Sequence, residues 1–321
     1  MEWYYIVLIV IGGLVLLYCL FTLAAAIYVM KVMTKPYWRP VDKHIQDMIK
    51  DKRLKENELE EYYQPENTKI DSKMGYKLQV SYIAKKKDVK FADGKERVVI
   101  LVHGWTSFRY AMLVYGKIYL DQGFHVFCYD HRNHGESDKK VTTMGNKEAD
   151  DLQTVVEYVY EKMGKNIVLG THGESMGSAT AMTHAGRYHS VDFMVEDCGY
   201  NSLRDLLKYQ CKELNHLPLF PTMQFGDLIF RLVAHTSYKE VEPQKGLSTC
   251  DDIPMYFVQG TNDTFVPSYM VYKCYDAKNG FKMIDTYKDS AHACSIMDYP
   301  EEYRQNLNKF LLEAKVIDKI N

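Results

Sequence analysis

The sequence predicts an α/β architecture: a mostly parallel central sheet with helices on both faces, a small helical cap, and one N-terminal transmembrane helix. Three observations predict it. From residue 98 onward, short apolar runs alternate with segments of helical period, the pattern of strands joined through crossover helices. From about 200 to 251 that alternation breaks into mostly helical sequence punctuated by Pro218, Pro221 and Pro243. From Trp3 to Met30 no residue is charged.

The apolar opening comes first in the chain. About 20 apolar residues cross a bilayer core, so this run crosses with tilt to spare. Trp3, Tyr4 and Tyr5 at one end, and Tyr28, Tyr37 and Trp38 near the other, suit interfacial aromatic belts. A cleaved signal peptide fits less well, because no Lys or Arg precedes a run longer than a typical signal core. Tyr18 directly before Cys19 argues against lipoprotein processing. Lys31, Lys35, Arg39 and Lys43 follow the span, against only Glu2 ahead of it. The positive-inside bias places the remainder of the chain in the cytoplasm, on a single-pass protein of the cell membrane. Residues 1–31 form the anchor, 32–66 a juxtamembrane helical segment, and 67–321 the α/β domain, with the cap inserted at about 200–251.

Within that domain, Ile70 to Ala84 alternates in strand fashion around Ser72-Lys73-Met74-Gly75. Val98-Val99-Ile100-Leu101-Val102 is a strand buried on both faces. Strands follow at Phe124–Tyr129, Asn166–Leu169, Val191–Val195, Pro254–Val258 and Phe281–Tyr287. Between them lie helices at Arg109–Leu120, Asn146–Met163, up to about Arg187, and Tyr269–Ala277, with a last one from Glu302.

Composition narrows the function classes. The 321 residues carry 40 Lys+Arg against 42 Asp+Glu, a formal charge of −2. Nothing in that balance resembles a nucleic-acid footprint. Seven cysteines without C-x-x-C or metal-ligand spacing read as reduced thiols, in keeping with a cytoplasmic domain. The sequence implies no cofactor and no metal, and leaves the oligomeric state open.

The chemistry centres on Gly170-Thr171-His172-Gly173-Glu174-Ser175-Met176-Gly177, an apolar strand running through a glycine-flanked turn into small-residue helix. That is the setting in which G-x-S-x-G becomes a nucleophile elbow. The helix N-terminus after it favours negative charge on whatever Ser175 holds. Acyl transfer by serine needs a base within reach and a carboxylate to orient that base. Asp263 in Gln259-Gly260-Thr261-Asn262-Asp263 and His292 in Ser290-Ala291-His292 both stand just past strands.

With these motifs in the order Ser, Asp, His, the chain resembles the α/β-hydrolase superfamily of serine hydrolases over about residues 67–321. The resemblance implies Ser175 as nucleophile, His292 as general base and acid, and Asp263 as the group that fixes the His292 tautomer. It implies an oxyanion hole from the backbone N–H groups of Trp105 and Met176. The loop Asp130-His131-Arg132-Asn133-His134-Gly135-Glu136-Ser137 is similar to a scaffolding turn of that family. His103 is expected to support the oxyanion loop, and His172 to pack in its strand or line the pocket. Glu174 is expected to cap the elbow or meet solvent at the mouth of the site. Glu196 or Asp197 could orient the base in a variant geometry. The implied activity is hydrolysis of a small-molecule or lipid ester through an acyl-enzyme. A peptidase or amidase, and a silent membrane-tethered binding module, are the alternatives. Leu217–Pro221 and Phe225–Val233 are expected to line an acyl pocket.

Overall fold

A computed structural model describes residues 2–37 and 39–321; the interfacial role expected for Trp38 lies outside the described residues. The chain opens with α1 (Trp3–Thr34), an unbroken helix of 32 residues, about 48 Å long at 1.5 Å per residue. Its two halves meet different surroundings. Up to Phe21 nearly every side chain is exposed, whereas Thr22, Ala26, Met30 and Met33 are buried along one face. The helix ends where the backbone N–H of Thr142 donates to the Thr34 carbonyl at 3.0 Å. A short helix α2 (Val41–Lys50) then lays Met48 into the core, with His44 stacked on Phe108.

Eight strands follow: β1 (Glu66–Asp71), β2 (Lys77–Ile83), β3 (Glu96–Val102), β4 (His125–Tyr129), β5 (Ile167–Glu174), β6 (Phe193–Asp197), β7 (Met255–Gly260) and β8 (Lys282–Tyr287). They form one sheet in the order β1-β2-β4-β3-β5-β6-β7-β8. The two pairings of β2 are antiparallel, and every pairing from β4 to β8 is parallel. Strands β4, β6 and β7 are buried along their whole length, which is why they read as continuous apolar runs rather than alternating ones.

Both faces are covered. On one, α3 (Leu113–Asp121), α10 (Ser295–Asp298) and α11 (Pro300–Glu313) pack Tyr115, Tyr119, Tyr303 and Phe310 onto Leu101, Val126, Val195 and Tyr256. On the other, α4 (Asn146–Met163) and α5 (Met176–Tyr188) bury Leu152, Val156, Ala181 and Ala185 against Ile100, Val102, Leu169 and Phe257. The short α8 (Gln244–Leu247) and α9 (Tyr269–Ala277) complete that layer. Between β6 and β7 the cap rises on α6 (Leu203–Tyr209) and α7 (Leu219–Ala234). Its core joins Leu203, Leu206, Leu207, Phe230 and Tyr238 to Met30 and Met33 of α1. The end of the apolar helix is therefore part of the cap.

Candidate active site

Strands β3 and β5 are neighbours whose following connections run to opposite sides of the sheet, the arrangement that opens a crevice at the strand ends. Two loops meet in that crevice. After β3 comes His103-Gly104-Trp105-Thr106; after β5 the chain turns at Ser175 into α5. Ser175 has φ +57° and ψ −118°, a strained conformation for a residue with a Cβ. Its backbone N–H is held by the Asp197 carbonyl at 2.8 Å. The flanking glycines are steric necessities. A Cβ on Gly177 would stand 2.0 Å from the Val102 carbonyl oxygen, and one on Gly173 would stand 2.5 Å from that of Gly177.

The three residues singled out in the sequence come together here. His292 Nε2 lies 2.8 Å from Ser175 Oγ, and His292 Nδ1 lies 2.7 Å from Asp263 Oδ2. Asp263 is itself fixed from three directions. Its Oδ1 accepts the N–H groups of Phe265 and Val266 at 2.9 and 2.8 Å, and its Oδ2 accepts Gln259 Nε2 at 3.0 Å. Burial works against charge on His292. The hydrogen bond and charge of Asp263, with Glu174 and Asp197 behind, outweigh it and raise the imidazole above its ordinary value.

Trp105 and Met176 both stand beside Ser175 at the wall of one cavity of about 190 Å³. The Met176 N–H is the first of α5, where no intrahelical acceptor exists. A Cβ on Gly104 would stand 3.3 Å from Ser175 Cβ, so the peptide leading into Trp105 runs against the serine. Three buried histidines brace that loop. His103 Nδ1 lies 2.7 Å from the Gly104 carbonyl, the His131 N–H donates to His103 Nε2 at 3.0 Å, and the Thr106 N–H donates to His134 Nε2 at 3.2 Å. Burial holds all three imidazoles below their ordinary pKa, so they brace as neutral rings.

The other carboxylates lie elsewhere. Glu174 does not reach solvent at the mouth, as the sequence had suggested. It is buried, and its carboxylate accepts the Tyr115 hydroxyl at 2.9 Å. Glu196 and Asp197 are also buried, and burial pushes both carboxyls up. Asp197 accepts the Tyr303 hydroxyl at 2.8 Å and Glu196 the Gly199 N–H; the imidazole of His292 is met by Asp263 instead. His172 packs between Tyr119 and Tyr303. Asp130 holds Arg109 through both carboxylate oxygens, the scaffolding role expected of its loop. Among the described residues, Cys198, Asp263 and His292 make one metal-like grouping, each placing a ligand atom within 4.8 Å of the others. Burial keeps the Cys198 thiol protonated, and Asp263 and His292 turn their nearest atoms on each other.

The cavity wall departs from expectation. None of Leu217–Pro221 or Phe225–Val233 lines it. Leu203, Leu206 and Leu207 of α6 do, facing Tyr28, Val29, Val32 and Met33 of α1. Residues 1–31 had been read as an anchor alone, and 32–66 as a juxtamembrane segment. No periodicity within a uniformly apolar helix marks which of its side chains face a pocket.

Comparison with known proteins agrees with this architecture. Residues 93–196 match the family described as serine aminopeptidase, S33. The uncharacterized protein YqkD of Bacillus subtilis (strain 168) is 31% identical over 259 residues, covering 79% of this chain and 82% of that one. An uncharacterized membrane protein of Saccharomyces cerevisiae, YNL320W, is 24% identical over 235 residues, 72% and 75% of the two chains. Among solved structures, the Pyrococcus furiosus esterase Pf2001 superposes with a TM-score of 0.62 at 24% identity, over 78% of this chain and 93% of that one. Est1E from Butyrivibrio proteoclasticus, solved with ferulic acid bound, gives 0.63 at 18%, over 78% and 99%. These last two share the fold.

Proposed function

This chain belongs to the α/β-hydrolase superfamily, and on that footing we propose that it is a membrane-anchored serine hydrolase cleaving lipophilic carboxylic esters. The observation that carries the reading is the unbroken chain Asp263–His292–Ser175 at the floor of an apolar cavity. Ser175 Oγ attacks the ester carbonyl while His292 Nε2 takes its proton. Asp263 holds the imidazole in the tautomer that presents a bare Nε2 and stabilises the imidazolium that forms. The carbonyl oxygen becomes an oxyanion facing the N–H groups of Met176 and Trp105. One such donor is worth about 2.7–4 kcal/mol. The tetrahedral adduct collapses, His292 returns the proton to the departing alkoxide, and the acyl group stays on Ser175. Water, deprotonated by His292, then releases the acid.

Two features support an ester over a peptide. The cavity lining includes no carboxylate to receive a free amino terminus, and its α6 and α1 walls are mainly aliphatic. The family description keeps the peptidase as the second reading. The apolar half of α1 and the membrane relative support anchoring, with Lys31, Lys35, Arg39 and Lys43 favouring a cytoplasmic domain.

Labelling with a fluorophosphonate, followed by a panel of p-nitrophenyl esters beside aminoacyl amides, tests all of this. Labelling that vanishes in Ser175→Ala, with esters the faster substrates, is the expected result. Faster amide turnover selects the peptidase, and an unlabelled wild-type chain sinks both in favour of a silent binding module.

A further inference from the structure

We infer that the cap dips into the membrane: the start of α7, at Phe220, lies in the same bilayer leaflet as α1. The inference rests on the anchoring reading of α1. Its first support is depth. The Tyr18 hydroxyl donates to the Phe220 carbonyl at 2.6 Å, which pins the start of α7 beside Tyr18. Tyr18 lies about 15 residues beyond Trp3, roughly 22 Å along the helix, while the hydrocarbon core is about 30 Å thick. With Trp3 at the far interface, Phe220 is therefore below the near boundary, and any tilt of α1 carries it deeper.

The second support is what α7 exposes. Phe230 turns into the cap core, but Phe220, Leu228, Leu232 and Val233 are 71%, 55%, 69% and 41% exposed. Phe220 continues the apolar surface of the bare half of α1, and Leu228, Leu232 and Val233 carry it on to the boundary. Polarity changes along α7 as depth requires. Midway along α7, Gly226 lies against the Tyr238 hydroxyl, which meets Met30 Sδ at 3.3 Å, roughly 40 Å along α1 from Trp3 and past the core. There the chain carries Arg231, paired with Asp227, then His235 and Lys239. The third support is the carbonyl itself. An unpaired carbonyl in hydrocarbon is costly, and Tyr18 satisfies that of Phe220, next to Pro221, which has no N–H to leave bare. The cavity beside Ser175, walled by Tyr28 to Met33 of α1 and by α6, thus stands just past the core boundary, where an ester leaving the leaflet meets it.

The test is photo-crosslinking of the full chain in phosphatidylcholine vesicles with radiolabelled acyl chains. Benzoylphenylalanine is placed singly at Leu14, Phe220, Leu228 and, on α11, the partly exposed Leu312. The expected result is lipid adducts at Phe220 in a yield comparable to Leu14, a lower yield at Leu228, and none above background at Leu312. Adducts at Leu14 without any at Phe220 overturn the inference and leave the anchor standing. Adducts to a second protein copy at Phe220 in place of lipid overturn it as well. Failure at Leu14 overturns the anchor reading, and the inference falls with it.

Discussion

The strand-end site and the cap are built by opposite means. Ser175, Asp263 and His292 stand at the ends of β5, β7 and β8, where ladder hydrogen bonds fix the backbone and turn hydrogen bonds fix the side chains. The cap has no strand; its position depends on side chains of α6 and α7 packing on the end of α1. On the proposed function, chemistry belongs to the part fixed by the ladder, and substrate choice to the part assembled from distant sequence. Perturbing the first should therefore change rate for every substrate, and perturbing the second should change which substrate is preferred.

The largest effects belong to the strand-end site. Ser175→Ala and His292→Ala should each lower kcat by about 10⁶-fold, and Asp263→Asn by about 10⁴-fold, measured on one short and one long ester. Glu196→Gln and Asp197→Asn should stay within a few-fold of wild type, since it is Asp263 and neither of them that meets the His292 imidazole. Near-full activity in Asp263→Asn would transfer the orienting role elsewhere and break the comparison at its firm end.

A cap-side substitution should behave differently. Val32→Trp narrows the cavity from the α1 side at a half-exposed position. It should lower kcat/KM for an octanoyl ester by about 10–200-fold, the scale on which apolar pockets discriminate, while acetyl ester hydrolysis changes little. Equal losses on both esters would mean that α1 affects the chemistry and not the choice of acyl chain.

The pH profile returns to the strand ends with a smaller effect. The reaction needs neutral His292, and Asp263 raises its pKa. Activity should therefore rise with pH through one ionisation whose midpoint lies above the ordinary 6.5 or so, and fall as pH drops through it. Residual activity in Asp263→Asn should show a lower midpoint; an unmoved midpoint would assign the ionisation to another group. Smallest is Tyr18→Phe, which removes the one hydrogen bond from α1 to Phe220. It should cost about 1 kcal/mol, read as a fall of roughly 2–4 °C in Tm in detergent, with kcat on acetyl ester unchanged.

Much of this molecule is determined by local sequence. Val98–Val102 and Pro254–Val258 are apolar because strands covered on both faces expose no side to water, and that pattern is visible residue by residue. Gly173 and Gly177 mark the elbow because no Cβ fits against Gly177 and Val102, and a steric demand of that kind leaves its sign in the residue type. Asp263 and His292 were legible because each directly follows a strand. The tertiary structure alone decided the burial of Glu174 against Tyr115, the joining of His131 and His134 to His103 in bracing the loop after β3, and the wall of the cavity. Phe225–Val233 could be read as pocket lining because apolar composition does not say which way a helix faces. Tyr28, Val29, Val32 and Met33 were hidden for the same reason: lipid, a cap core and an acyl chain all ask for the same side chains. Only the packing of α1 against a cap some 200 residues away in the chain tells those environments apart.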